Sequence, residues 1–208
     1  MGLHKFKDGN KKDWLMFWAI PAIVIGVSLA IMLGGETAKE WLRYDRVWIG
    51  QGEAWRFLTG HFTHLSWSHL ALNSAGLLLI WFLIGRSYAF LGWIQITLIT
   101  VATIDTAFWL LNPELYWYVG MSGLLHGLLV AGIIARLRTL DVETGILLLL
   151  LVAKIGYEQF NGPVPGSEGT SGGPVVVDAH LYGALGGVLG GVLVALLARI
   201  RGERPASI

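Results

Sequence analysis

Four polar residues in this 208-residue chain stand where their types and spacing could do chemistry: Ser122, His180, His69 and Asn73. Ser122 lies in Gly120-Met121-Ser122-Gly123. A serine that opens a helix sits among unpaired backbone N–H groups, which suit a developing oxyanion, and flanking glycines let a peptide backbone come close. The same Gly-x-Ser-Gly pattern also serves plain small-residue helix packing. His180 lies in an apolar run, where an ionisable side chain is a functional hypothesis by default. Behind it, Gly183, Gly187 and Gly191 recur every four residues, and Gly123 and Gly127 answer from the serine's helix. Two small faces pack with their backbones close, which brings an imidazole within reach of a hydroxyl as its general base. A histidine bonded structurally inside a bundle is the competing reading. His69 and Asn73, four apart, share one helical face and supply hydrogen-bond donors of the kind that stabilise a transition state.

Other chemistries fit less well. His61, His64 and His69 lie close in sequence, but no carboxylate or cysteine completes a ligand set, and no His-Glu-x-x-His is present. No metal, no cofactor and no nucleic-acid partner is expected. With no cysteine in the chain, thiol nucleophiles and disulfides are excluded. Asp178 is two residues from His180 on one helix and points elsewhere. Asp105, Lys154 and Glu158 are charges in apolar runs and could suggest a transporter; Lys154 and Glu158, four apart, pair with each other instead. No internal repeat of the transporter kind is visible.

The elements that must position these residues are membrane helices. The chain is 54% hydrophobic and 14% charged, with mean hydropathy +0.61, against about 25% charged in a soluble domain. Its ten tryptophans suit two membrane–water interfaces. Apolar runs at 14–33, 69–85, 88–111, 121–135, 144–161 and 176–198 predict an all-α integral membrane bundle of six spans. The membrane domain is expected over 14–200, between cytoplasmic tails at 1–13 and 201–208. The first outer loop is long, with an interfacial helix over Glu36–Trp48, and the Gly162–Pro174 loop is Gly-, Pro- and Ser-rich and expected to be mobile. Alternation puts the N-terminal lysines, Arg86, Arg136, Arg138, Arg199, Arg201 and Arg204 on one side. The other side carries Lys39, Arg43, Arg46 and Arg56, all in the first loop. Both termini are therefore expected in the cytoplasm.

Depth follows from counting. Ser122 is 14 residues before Arg136, about 21 Å of helix in a hydrocarbon core about 30 Å thick. That leaves the serine roughly 9 Å below the outer face. His69, counted from Arg86, and His180, counted from Arg199, also fall in the outer half. Irregular backbone at that depth survives only against protein or a water-filled cavity.

Taken in order, Glu53-Ala54-Trp55-Arg56, His69-x-x-x-Asn73, Gly120-x-Ser122-Gly123 and Ala179-His180-x-x-Gly183-x-x-x-Gly187 resemble the signatures of rhomboid intramembrane serine proteases. The resemblance implies a Ser122–His180 dyad without a triad acid, with His69, Asn73 and the Ser122 N–H at the oxyanion. It makes Gly120, Gly123, His126 and Gly183 residues of substrate approach and packing, and the Trp-Arg loop a structural element lying on the membrane. A tyrosine usually packs on the base one turn after the nucleophile; here that residue is His126. Gly-Met-Ser-Gly-Leu-Leu-His-Gly on a compact core looks most like the rhombosortase branch. That likeness implies a bacterial inner-membrane enzyme open to the outer side. Its partners would be membrane-anchored proteins, including those with a Gly-Gly, helix and basic-tail C-terminal signal.

Overall fold

The structure is a computed structural model, and it describes residues 11–137 and 141–202. Most of the N-terminal tail, Arg138 and Arg204 lie outside the described residues, so the expectations placed on them carry no structural account.

The chain is almost wholly helical. In order it forms α1 (Lys11–Leu33), α2 (Gly35–Leu42), β1 (Tyr44–Asp45), α3 (Arg46–Gly50), α4 (Trp55–Thr59), a 3-10 turn (Gly60–Phe62), α5 (Trp67–Ile84), α6 (Phe90–Leu111), β2 (Trp117–Tyr118), α7 (Ser122–Arg136), α8 (Val142–Asn161), α9 (Ser167–Ser171) and α10 (Asp178–Ile200). α5, α6 and α10 are long and apolar enough to cross a membrane. α7 is shorter, at 15 residues, and α8 carries Glu143, Lys154 and Glu158.

Burial orders the bundle. Ten of the fifteen residues of α7 are buried, which makes it the central helix, whereas α8 buries only Thr144, Leu151 and Glu158. The outer faces are apolar: Leu149, Val152 and Phe160 on α8, Leu79 and Phe82 on α5, and Leu189 on α10 all stand exposed. Apolar side chains turned outward on these three helices call for hydrocarbon as their solvent. Around α7 the core gathers Leu77, Trp81 and Ile84 from α5, Trp93 and Ile96 from α6, and Leu124, Leu125 and Leu128 from α7 itself. Trp81 and Trp93 depart from the interfacial role expected of tryptophan. Both are buried, and their indole N–H groups donate to the carbonyls of Phe17 (2.7 Å) and Gly85 (2.8 Å). Six other tryptophans, Trp41, Trp48, Trp55, Trp67, Trp109 and Trp117, do present exposed rings.

α7 and α10 touch backbone to backbone. A Cβ on Gly123 would lie 2.7 Å from the Ala179 carbonyl oxygen, and one on Gly127 would lie 2.6 Å from that of Gly183. Any side chain there forces the helices apart, so the glycine register is what sets their separation.

The first loop is built more intricately than one interfacial helix. α2 ends at Leu42, the chain extends through β1, and Asp45 then caps α3 by accepting from the N–H groups of Val47 and Trp48. Buried Arg56 ties the loop together, bonding the Glu53 carboxylate (2.5 Å) and the carbonyls of Glu40 (2.7 Å) and Arg43 (3.1 Å). β1 pairs antiparallel with β2, Tyr44 opposite Tyr118 and Asp45 opposite Trp117. That ladder fastens the loop to the segment leading into α7. The Gly162–Pro174 loop is not free either. It contains α9, and Ser66 and Ser68 donate to the carbonyls of Ser171 (2.9 Å) and Thr170 (2.6 Å).

Candidate active site

The serine is placed by the glycine two residues before it. Gly120 adopts φ +128°, a region closed to most L-residues, and so turns the chain from β2 into α7. Two bonds hold this turn: the Gly120 N–H donates to the Gly60 carbonyl (3.1 Å), and the buried Tyr118 hydroxyl donates to the Gly120 carbonyl (2.6 Å). Met121 is fully buried behind it. Ser122 therefore becomes the first residue of α7, where its own N–H has no partner within the helix.

His180 enters from α10, one turn before Gly183. With the helices at glycine separation, its Nε2 lies 2.9 Å from the Ser122 Oγ. Such contact suits a hydroxyl donating to an unprotonated ring nitrogen. The other nitrogen, Nδ1, lies 2.7 Å from Glu158 Oε2 on α8, and Glu158 is 2% exposed. Lys154, one turn earlier, donates to both carboxylate oxygens at 2.8 Å. Its Nζ is also 3.4 Å from Nδ1, but two donors cannot share that gap, so we assign the Nδ1 proton to the shorter bond with Glu158.

This arrangement bears on two expectations. A Ser–His pair without an acid was anticipated, yet a buried carboxylate stands on the far side of the imidazole. Lys154 and Glu158 pair as expected, and Glu158 also faces the His180 ring. Asp178 turns away, accepting from Asn112 Nδ2 at 2.8 Å.

His126, one turn after Ser122, stacks on His180 with centroids 4.3 Å apart and planes 19° from parallel. Its Nδ1 donates to the Ser122 carbonyl at 2.7 Å, which locks the ring in place. His126, Glu158 and His180 bring three potential ligand atoms within 4.8 Å of one another. They make a poor metal cage, because stacked rings direct their lone pairs in parallel and the ammonium of Lys154 already occupies the carboxylate.

His69 and Asn73 lie on the α5 face toward α7. The His69 ring would sit 3.0–3.1 Å from a Cβ on Gly120, and Gly76, one turn beyond Asn73, meets Leu125. Ser66 caps α5 by accepting the His69 N–H (3.1 Å), and the Leu65 N–H points at His69 Nδ1 (3.5 Å). That leaves Nε2 as the protonated nitrogen, on the Gly120 side. The His64 ring stands edge-on behind it, with centroids 4.9 Å apart. Burial, followed by the neighbouring His69, holds the His64 pKa down to about 3, so it backs the site as a neutral ring. Asn73 is buried, and its Nδ2 has no hydrogen-bond partner among the described residues. A buried donor left open on the helix face that carries His69 calls for an acceptor.

A hydroxyl hydrogen-bonded to an imidazole, at the head of a short buried helix in a lipid-facing bundle, defines the class as a serine hydrolase working inside a membrane. The rhomboid domain family matches residues 51–197, from the first loop through nearly all of α10. The chain belongs to the rhomboid family, whose members are intramembrane serine proteases acting on membrane proteins. No curated protein matches the chain.

Of the residues singled out in the sequence, Ser122, His180, His126, Gly120, Gly123 and Gly183 come together, with His69 and Asn73 alongside. Glu158 was missed. Its signal was present, since a carboxylate buried in an apolar helix demands an explanation. The neighbouring Lys154 supplied one that looked sufficient.

Proposed function

We propose that Ser122 is the nucleophile and His180 the general base of an endopeptidase that cuts a membrane-anchored protein near the outer face. The observation that carries this reading is the 2.9 Å contact between Ser122 Oγ and His180 Nε2. In the first step Oγ attacks the scissile carbonyl as its proton passes to Nε2. The Ser122 N–H, Asn73 Nδ2 and His69 Nε2 receive the oxyanion. His180 then returns the proton to the departing amine, and water releases the acyl group by the same route in reverse. In this reading α1, α5, α6, α7, α8 and α10 are six spans of a bacterial inner membrane, with both termini cytoplasmic and the site open to the outer side. The length of α7, 15 residues or about 22 Å, supports a serine recessed by roughly 8 Å.

The substrate we infer carries a Gly-Gly pair just outside a C-terminal membrane helix with a basic tail, as the rhombosortase likeness implies. An intact helix is sterically closed to attack. Glycine lowers helix stability by about 1 kcal/mol relative to alanine, so a Gly-Gly pair frays there and threads past Ser122 without side-chain clashes. Co-expression with such a protein, followed by mass spectrometry of the released C-terminus, tests the reading. Cleavage at or beside the pair is expected, and it should stop when the pair becomes Leu-Leu. Unchanged cleavage of the Leu-Leu protein at the same bond would instead describe a general rhomboid protease.

A further inference from the structure

Glu158 and Lys154 have no part in a serine–histidine pair, yet the fold buries Glu158 against His180 and sets the half-exposed Lys154 beside its carboxylate. Glu158 comes from α8, the least buried of the long helices, and is one of only three residues that helix buries. Its Oε2 lies 2.7 Å from His180 Nδ1, on the ring edge opposite Ser122, and both oxygens accept from Lys154 at 2.8 Å. The sequence Ser122 Oγ, His180 Nε2, His180 Nδ1, Glu158 Oε2 is a continuous hydrogen-bonded line drawn from three helices.

We propose that Glu158, held by Lys154, is the positioning residue of a Ser122–His180–Glu158 triad. This rests on the reading of Ser122 as nucleophile and His180 as base. The carboxylate accepts a hydrogen bond from Nδ1–H and so keeps that proton on Nδ1, which leaves the Nε2 lone pair facing the serine. When Nε2 takes the serine proton, the imidazolium forms against a negative oxygen, and Nδ1 keeps its own proton throughout. Lys154 offers only donors and fixes the carboxylate's orientation.

The donor-only character of Lys154 makes the test sharp. In Glu158→Gln the amide oxygen must face Lys154, which leaves the NH2 facing Nδ1. That bond moves the imidazole proton to Nε2, where it blocks acceptance from Ser122. The expected result is a fall in kcat of about 10⁴-fold with KM little changed. The 15N resonances of His180 should report the proton moving from Nδ1 to Nε2. Adding Lys154→Met to Glu158→Gln frees the amide to turn its oxygen to Nδ1, so the double variant should recover activity relative to the single one. Glu158→Asp should retain the wild-type tautomer.

A carboxylate that merely pairs with Lys154 predicts otherwise: Glu158→Gln would lower thermal stability with kcat and tautomer unchanged, and Lys154→Met would add to the damage. That outcome overturns the proposal while leaving Ser122 and His180 in their roles. Absence of Ser122-dependent cleavage in the wild type would instead remove the protease reading, and the His180 tautomer in Glu158→Gln would still decide what Glu158 does.

Discussion

At the residue scale the proposed oxyanion donors are held for a charge that would exist only during reaction. Asn73 Nδ2 is buried with no hydrogen-bond partner among the described residues, and the Leu65 N–H points at His69 Nδ1, leaving Nε2 to face Gly120. An unpaired buried donor costs about 1–3 kcal/mol, which the resting protein bears and an oxyanion would relieve. Asn73→Ala should therefore lower kcat by about 100- to 1000-fold with little change in KM, measured with a purified substrate in detergent or liposomes. Asn73→Ala should also leave thermal stability equal to or above the wild type, because it removes the open donor. A variant altered only in KM would place Asn73 against the substrate instead. Ser122, His180 and the His69–Asn73 face were legible because each is a polar type in an apolar run. Glu158 was not, because an i,i+4 partner accounts for a buried carboxylate equally well until the third helix is placed. The stacking of His126 on His180 likewise depends on how α7 and α10 rotate about each other, and local sequence does not encode that angle.

At the element scale the distance between α7 and α10 decides whether the site exists. Gly123, Gly127, Gly183 and Gly187 place the two backbones in contact, and Ser122 and His180 ride on the ends of that contact. Gly183→Leu must push the helices apart by much more than the Oγ–Nε2 bond tolerates. It should abolish activity, while Gly145→Ala, at an open position, should not. An active Gly183→Leu enzyme would show that the glycine register does not set the geometry. Helix boundaries and the glycine register were readable in advance, because hydrophobic length and four-residue spacing are local properties. The β1–β2 ladder and the anchoring of α9 to Ser66 and Ser68 were not. Two-residue strands and a five-residue helix are fixed by tertiary contacts rather than by any sequence period.

At the scale of the whole molecule, a wet reaction is built beneath apolar outer surfaces. The proposed orientation can be read directly, because the chain has no cysteine of its own. A cysteine at Gln51, exposed in the first loop, should react with a membrane-impermeant maleimide in cells with a permeabilised outer envelope, and one at Ala89, exposed between α5 and α6, should not. The reverse pattern would invert the topology that the basic residues imply. The family assignment and the outward apolar faces establish a membrane protease, and the chemistry proposed for it runs through the Ser122 hydroxyl and the His180 imidazole. A fluorophosphonate probe applied to membranes tests that claim most directly, since it traps an activated serine whatever the natural substrate. Labelling of the wild type is expected at Ser122, located by peptide mass spectrometry. None is expected in Ser122→Ala and almost none in His180→Ala, although both variants insert and accumulate normally, because either loss disables the unit. Labelling that persists undiminished in His180→Ala, or that falls on a residue other than Ser122, would contradict that claim.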